Sequence, residues 1–293
     1  MSFPWYQGIV VGVDGSQESL AALDWAARTA NLHGVHLTVV VTYAVPITPD
    51  PGVGGLIGDL RDQAHAAAMA ARARLGEQRP GEQGVEVVVV QGSAAHELGQ
   101  RSRTGDLVVV GRRGLGAFDR AVLGSTSSEL AATAPGAVVV VPAGATSGDP
   151  RRIRVGVGRE DEPDVLGVAF AEADVRGRSL EVLHVMDADP ISARLLELDP
   201  VAASWREAAT ADLASRVARW SQKYPRVTCS IVLRRGDRPS VLLQGLTRDD
   251  LVVVGGRQHQ PVIGRVLRSV SDAVLRSAPC TVVVVHARRH AAA

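Results

Sequence analysis

Short apolar runs recur along this chain, separated by longer stretches of mixed polarity. In the first half the runs fall at residues 9–13, 37–42, 85–90, 107–110 and 138–141, and valine dominates them. They are continuously apolar rather than alternating, which is the pattern of strands covered on both faces. Between them, 17–31, 59–77, 94–103 and 127–134 read as helices. The second half repeats the scheme with runs at 155–157, 179–185, 228–233, 251–254 and 281–285. A long helix is expected from about Val201 to Tyr224, stopping near Pro225, because proline cannot continue a helix. Strands alternating with helices predict an α/β, doubly wound architecture, a parallel sheet with helices on both faces.

The repetition extends to the residues themselves. Ile9-Val10-Val11-Gly12-Val13 resembles Ile153-Arg154-Val155-Gly156-Val157, and residues 106–111 are identical to 250–255. Ala134-Pro135 followed by Val138 to Val141 returns as Ala278-Pro279 followed by Val282 to Val285, again 144 positions on. One constant offset means a tandem duplication. The 293 residues then divide into a first domain at 1–143, a linker at 144–152 containing Gly, Ser, Thr and Pro, and a second domain at 153–293.

The loop after the fourth run carries the candidate chemistry. It reads Gly111-Arg112-Arg113-Gly114, then nine residues, then Gly124-Ser125, with Thr126 and Ser127 leading into a helix. Glycines let a backbone approach a ligand closely, and the N–H groups that open a helix attract phosphate. Strand, glycine-punctuated loop and helix start together describe a phosphate cradle. This Gly-x2-Gly-x9-Gly-Ser pattern resembles the ATP-binding branch of the universal stress protein family, and the resemblance runs from about Gly8 to His286.

The resemblance implies tandem domains, each a five-stranded parallel sheet, that pair through their last strands at 138–141 and 282–285. It implies that ATP sits beyond the strand ends, where the strand order switches. Asp14 would contact the nucleotide, flanked by Gly12 and Val13 at the end of the first strand. Val41 would lie against adenine, Val110 would border the nucleotide at the end of the fourth run, and Gly111, Gly114, Gly124, Ser125, Thr126 and Ser127 would form the phosphate cradle. Each of these residues also has a plainer reading. Asp14 and Ser16 suit a helix N-cap, Val41 suits a core, and single glycines suit turns. The joint spacing favours the nucleotide. Arg112, Arg113 and Arg120 are read as solvated loop residues.

The second half departs from the pattern. Gly158 stands in place of Asp14, Gln258 in place of Gly114, and Arg268 in place of Gly124, although Gly255, Ser269 and Ser271 persist. One ATP per chain is therefore expected, held by the first half, with magnesium as the usual companion of its phosphates.

Composition narrows the partners. A net charge of +1 and 3% aromatic residues give no footing for nucleic acid, and no apolar run is long enough to span a membrane. Residues 1–8 lack the charged start and apolar core of a secretion signal, and Cys229 and Cys280 suit reduced thiols packed as small hydrophobic groups, so a cytoplasmic protein is expected. No Walker A lysine, nucleophile elbow, zinc-binding motif or other metal-ligand spacing occurs, and the histidines, among them His65, His96, His184 and His259, are read as surface or singly packed residues. No general base is evident and no catalytic residue is assigned. The expected activity is regulatory nucleotide binding in a stress response, acting on an unknown protein partner and open to homodimer formation. Slow ATP hydrolysis on the same fold and a nucleotide-free scaffold are the alternatives.

Overall fold

The computed structural model describes residues 5–44, 53–78, 84–102, 106–115, 123–145, 148–158, 163–186, 200–256 and 269–286. The first half runs β1 (Gly8–Gly12), α1 (Gln17–His33), β2 (His36–Tyr43), α2 (Val53–Gln78), β3 (Val85–Gln91), α3 (Ala94–Arg101), β4 (Leu107–Gly111), α4 (Ser125–Thr133) and β5 (Ala137–Val141). The second runs β6 (Ile153–Gly156), α5 (Pro163–Arg176), β7 (Leu180–Met186), α6 (Pro200–Lys223), β8 (Cys229–Arg235), α7 (Arg238–Leu243), β9 (Leu251–Gly256), α8 (Val270–Ser277) and β10 (Thr281–His286). Every expected strand forms, most of them longer by a residue or two. Two helix starts differ from expectation: α2 begins at Val53 rather than 59, and α4 at Ser125 rather than 127. Gly54, Gly55 and Gly58 in α2, and the hydroxyl residues Ser125 to Ser127 in α4, are poor helix formers that hide the start from a sequence reading.

The strands form one ten-stranded sheet in the order β3-β2-β1-β4-β5-β10-β9-β6-β7-β8. Pairing is parallel throughout each half and antiparallel only at the junction, where Val282 faces Val140, Val283 faces Val139 and Val284 faces Val138. β5 and β10 would otherwise expose unpaired backbone at an edge of each half, and each satisfies the other. The expected pairing through last strands is thus present within a single chain.

Because successive strand side chains point to opposite faces, the valine runs feed two cores. Val11, Val39, Val109 and Val139 pack on the face covered by α1, α2, α5 and α6. Val10, Val40, Val108 and Val140 pack on the face covered by α3, α4, α7 and α8. Continuous valine is required here because neither face meets water.

A buried polar cluster crosses between the halves on the first of these faces. Glu172 of α5, fully enclosed, accepts hydrogen bonds from Tyr6 Oη (2.9 Å) and Arg176 Nε (2.8 Å), and His33 Nε2 lies 3.1 Å away. Arg176 also donates to Thr29 Oγ1 of α1 (2.7 Å) and to the Gly148 carbonyl. Its guanidinium lies 5.1 Å from the centre of the Trp25 ring.

Candidate functional site

β1 lies between β2 and β4, and β4 between β1 and β5, so the chain leaves β1 and β4 in opposite directions across the sheet. Their C-terminal ends therefore open a crevice, walled by the turn at 13–16 and the loop that begins at Gly111. Doubly wound sheets bind ligands at such a switch point.

On the β1 side, Ser16 caps α1, its side chain accepting from Ser19 N (3.2 Å). The plain N-cap reading is thus correct for Ser16, and Asp14 is released for another task. Its Oδ1 accepts from Ser16 N (3.0 Å), and its Oδ2 accepts from Leu115 N (2.9 Å) across the crevice. Burial alone would raise the Asp14 pKa, but the Ser16 hydroxyl, the two backbone bonds and the Ser19 hydroxyl outweigh it and hold the carboxyl below its ordinary value. Asp14 is a charged latch between the two loops at neutral pH.

The glycines of the second loop serve close approach. None of Gly111, Gly114 and Gly124 has a positive φ, so freedom of backbone conformation is not what they supply. A Cβ on Gly114 would collide with the Asp14 carboxylate. A Cβ on Gly111 would lie 2.9 Å from the carbonyl carbon of Glu18, on the first turn of α1. The spacing lets the loop lie directly on the start of α1.

Gly124 closes the loop by donating to the Arg112 carbonyl (2.9 Å) and is the N-cap of α4. Glycine has no side chain with which to cap, and among the described residues none other caps this end. The N–H groups of Ser125, Thr126 and Ser127 open the helix with no acceptor in the preceding turn. Ser125 is exposed and Thr126 half-buried. Ser127 is turned inward, its hydroxyl 2.9 Å from the Arg112 carbonyl and 3.0 Å from that of Gly124, so it braces the loop. Gly12 ends β1 and Val110 precedes Gly111, the last residue of β4; a Cβ on Gly12 would lie 2.8 Å from Leu98. Val13 and Val41 are buried in the core on the α1 and α2 face.

Two residues depart from the sequence reading. Arg113 is not solvated. Its backbone N–H donates to Glu18 Oε2 (2.5 Å), and its guanidinium donates to the other oxygen of the same carboxylate. Arg112 sends its guanidinium to the Ala278 carbonyl in the second half. Both are held because the loop lies flat on α1 and against the junction, where each charge meets an acceptor. Glu18 itself went unnoticed in the sequence; an acid in the first turn of α1, facing a loop with two arginines, was the available signal. Arg120 lies outside the described residues.

The matching crevice of the second half is built differently. α8 is capped by its own Ser269, whose hydroxyl accepts from Asp272 N (3.1 Å) and lies 2.9 Å from that of Ser271. Strand register places His184 where Val41 stands, and its Nδ1 is 2.8 Å from the Val157 carbonyl. Arg216 of α6 donates to the carbonyl of Gly158, the residue in place of Asp14 (3.1 Å). Gln258, His259 and Arg268 lie outside the described residues.

The universal stress protein family model matches residues 6–142 and again 150–286, two copies that together take in nearly the whole chain. This chain belongs to the universal stress protein family. Among curated relatives, a universal stress protein of Mycolicibacterium smegmatis is 34% identical over 293 residues, covering 96% of this chain and 97% of its own. One from Mycobacterium tuberculosis is 34% identical over 298 residues, covering 97% and 99%. The crystal structure of a universal stress protein from Archaeoglobus fulgidus, 18% identical, superposes with a TM-score of 0.70 over 96% of this chain and 98% of its own, which shows the same fold. As a universal stress protein of tandem type, the chain has no described helix long and apolar enough to cross a membrane. Among the described residues no cluster of three or more His, Cys, Asp and Glu is placed to hold a metal.

Proposed function

We propose that this tandem universal stress protein binds one ATP per chain in its first half, and that its second half holds no equivalent site. The difference between the two helix starts carries this reading. α4 opens on Gly124 with its first N–H groups uncapped and exposed Ser125 beside them, whereas α8 starts one residue later in the repeat, is capped by Ser269, the counterpart of Ser125, and places Asp272 in its first turn. A phosphate chain gains from uncapped N–H groups and the positive end of the helix dipole, and loses where a serine already occupies them and a carboxylate stands by.

In this arrangement Ser125, Thr126 and the N–H of Ser127 take phosphate oxygens, Gly111 and Gly114 keep the loop thin, and Asp14 holds the loop in place. Val41 forms the wall nearest the adenine, together with Gly12, Val13 and Val110 at the strand ends. Magnesium enters with the phosphates, since a hard cation bridges them with water and few protein ligands. The role is regulatory. Leu115, 70% exposed, itself donates the N–H that Asp14 accepts, so a ligand that displaces this latch moves an apolar side chain at the surface. That surface is the place for a protein partner or a second chain to sense occupancy, provided ATP binds two loop positions with different affinity. Residues 144–152 act as the linker, and the cytoplasm is the expected compartment.

The test is to denature purified protein, identify the released nucleotide by mass spectrometry, and titrate the emptied protein with ATP by calorimetry. One equivalent of ATP supports the proposal. Two equivalents overturn the single site. Recovery of ADP with magnesium-dependent turnover replaces binding with slow hydrolysis. A clean protein that takes up no ATP returns the loop at Gly111 to a structural role.

A further inference from the structure

The segment proposed to face phosphate is tied at both ends to the other half of the chain. At its start, Arg112 donates its N–H to the Val141 carbonyl (2.8 Å), and its own carbonyl receives both Gly124 N (2.9 Å) and the Ser127 hydroxyl (2.9 Å). This one residue thus closes the loop on itself. Its guanidinium then crosses the β5–β10 junction to the carbonyl of Ala278, the C-cap of α8, where the helix dipole favours a cation.

At the other end, His286 of β10 is 2% exposed and lies between two carbonyls of the first half. Its Nδ1 is 2.9 Å from the Gly136 oxygen, and its Nε2 is 2.9 Å from the oxygen of Ala131, in the last turn of α4. Both oxygens are acceptors, and a neutral ring donates to one of them, the tautomer deciding which.

These ties are not repeated by the internal symmetry. The residue 144 positions after Arg112 is Gly256, and the residue 144 positions before His286 is Pro142. Neither brings a polar side chain. A Cβ at Gly256 would lie 2.6 Å from the His286 ring, so the ring takes the space that a counterpart of Arg112 would need. The junction is nearly symmetric in its valines and one-sided in its polar contacts, and both of these contacts bear on the segment from Arg112 to the end of α4.

We propose that the second half acts as a clamp for the first, with Arg112 and His286 as positioning residues that set the glycine loop and α4 against the crevice. The effect on nucleotide rests on the ATP reading above; the effect on the loop does not. A duplicated half that has lost its own cradle thereby retains a task.

The experiment is hydrogen exchange on the full-length protein without nucleotide, comparing wild type with Arg112→Ala, Arg112→Lys and His286→Gln. Arg112→Ala is expected to speed exchange in peptides spanning 111–115 and 123–128 by about tenfold, the loss of one hydrogen bond from a charged donor, while β6, β7 and β8 exchange as before. Arg112→Lys restores part of the protection, and His286→Gln loosens the end of α4 instead. With ATP added, Arg112→Ala weakens binding by about tenfold, with unchanged circular dichroism. Unchanged exchange in the loop overturns the clamp. Faster loop exchange in Arg112→Ala, together with a wild-type protein that binds no ATP, supports the clamp and defeats the nucleotide reading alone.

Discussion

Glu172 shows how much one residue depends on what encloses it. In the sequence it is one acid in an alanine-rich stretch. In the fold it is fully buried. Burial alone would push its carboxyl up, but Arg176 and then His33 reverse this and bring it down from 4.5 to about 2. A folded-state pKa below the unfolded value stabilises the native state above pH 4.5, and this contribution is lost as pH falls from 4.5 through 2. Replacing Glu172 with Gln strands the Arg176 guanidinium, whose side chain has no exposure, and is expected to cost about 3–5 kcal/mol. Urea unfolding at neutral pH would show the loss, and a series down to pH 3 would show a shallower acid dependence in the variant. Equal stability of the two proteins at pH 7 would disprove the account. Asp14 makes the same point for the site. The family resemblance marked the residue, but its bond to Leu115 N, 101 positions away, is a product of the strand order.

At the scale of elements, the loop at Gly111 and helix α4 work as a unit. Gly114→Ala is expected to be the sharpest test of it, because the added methyl meets the Asp14 carboxylate and must break the bond to Leu115. ATP affinity should fall by about tenfold or more, while thermal stability drops by about 1–3 kcal/mol as the overpacked loop moves away. Calorimetric titration beside thermal melting separates the two effects; an intact affinity would remove Gly114 from the site. Gly124→Ser probes the helix start itself. A serine N-cap would occupy the N–H groups proposed to face phosphate, in the way that Ser269 caps α8, so α4 is expected to be stabilised and ATP binding weakened. A Cβ there also lies 3.1 Å from the Arg112 carbonyl, so the melting temperature reports whether the loop has yielded.

The whole molecule is joined by the antiparallel pairing of β5 with β10 and by the buried cluster around Glu172 and Arg176. Val139 and Val283, opposite each other at the centre of the junction, are completely buried. Two halves that share a sheet and a core are expected to unfold together. Differential scanning calorimetry should show one transition whose calorimetric and van't Hoff enthalpies agree. Two resolved transitions would mean that each half is held by its own core and that the junction adds little.

Hydrophobic patterning was enough for the strands, the duplication and the doubly wound class, because a strand buried on both faces must be apolar throughout and a constant offset survives divergence elsewhere. Residue spacing was enough to mark Gly111, Gly114 and Gly124, because close backbone approach tolerates only glycine. The partners of Glu18, Arg112, Glu172 and His286 could not be read in this way. A charged residue looks the same in sequence whether it meets water or a buried partner, and Arg113, Ala278, Tyr6 and Gly136 each lie 95 or more positions from the residue they meet; only the Glu172–Arg176 pair, four apart on α5, is local. Local patterning dictates which segments become strands and helices; the pairing of Glu18 with Arg113 waits on the strand order of the first half, and the contacts of Arg112, Glu172 and His286 across the halves on the sheet that β5 and β10 complete.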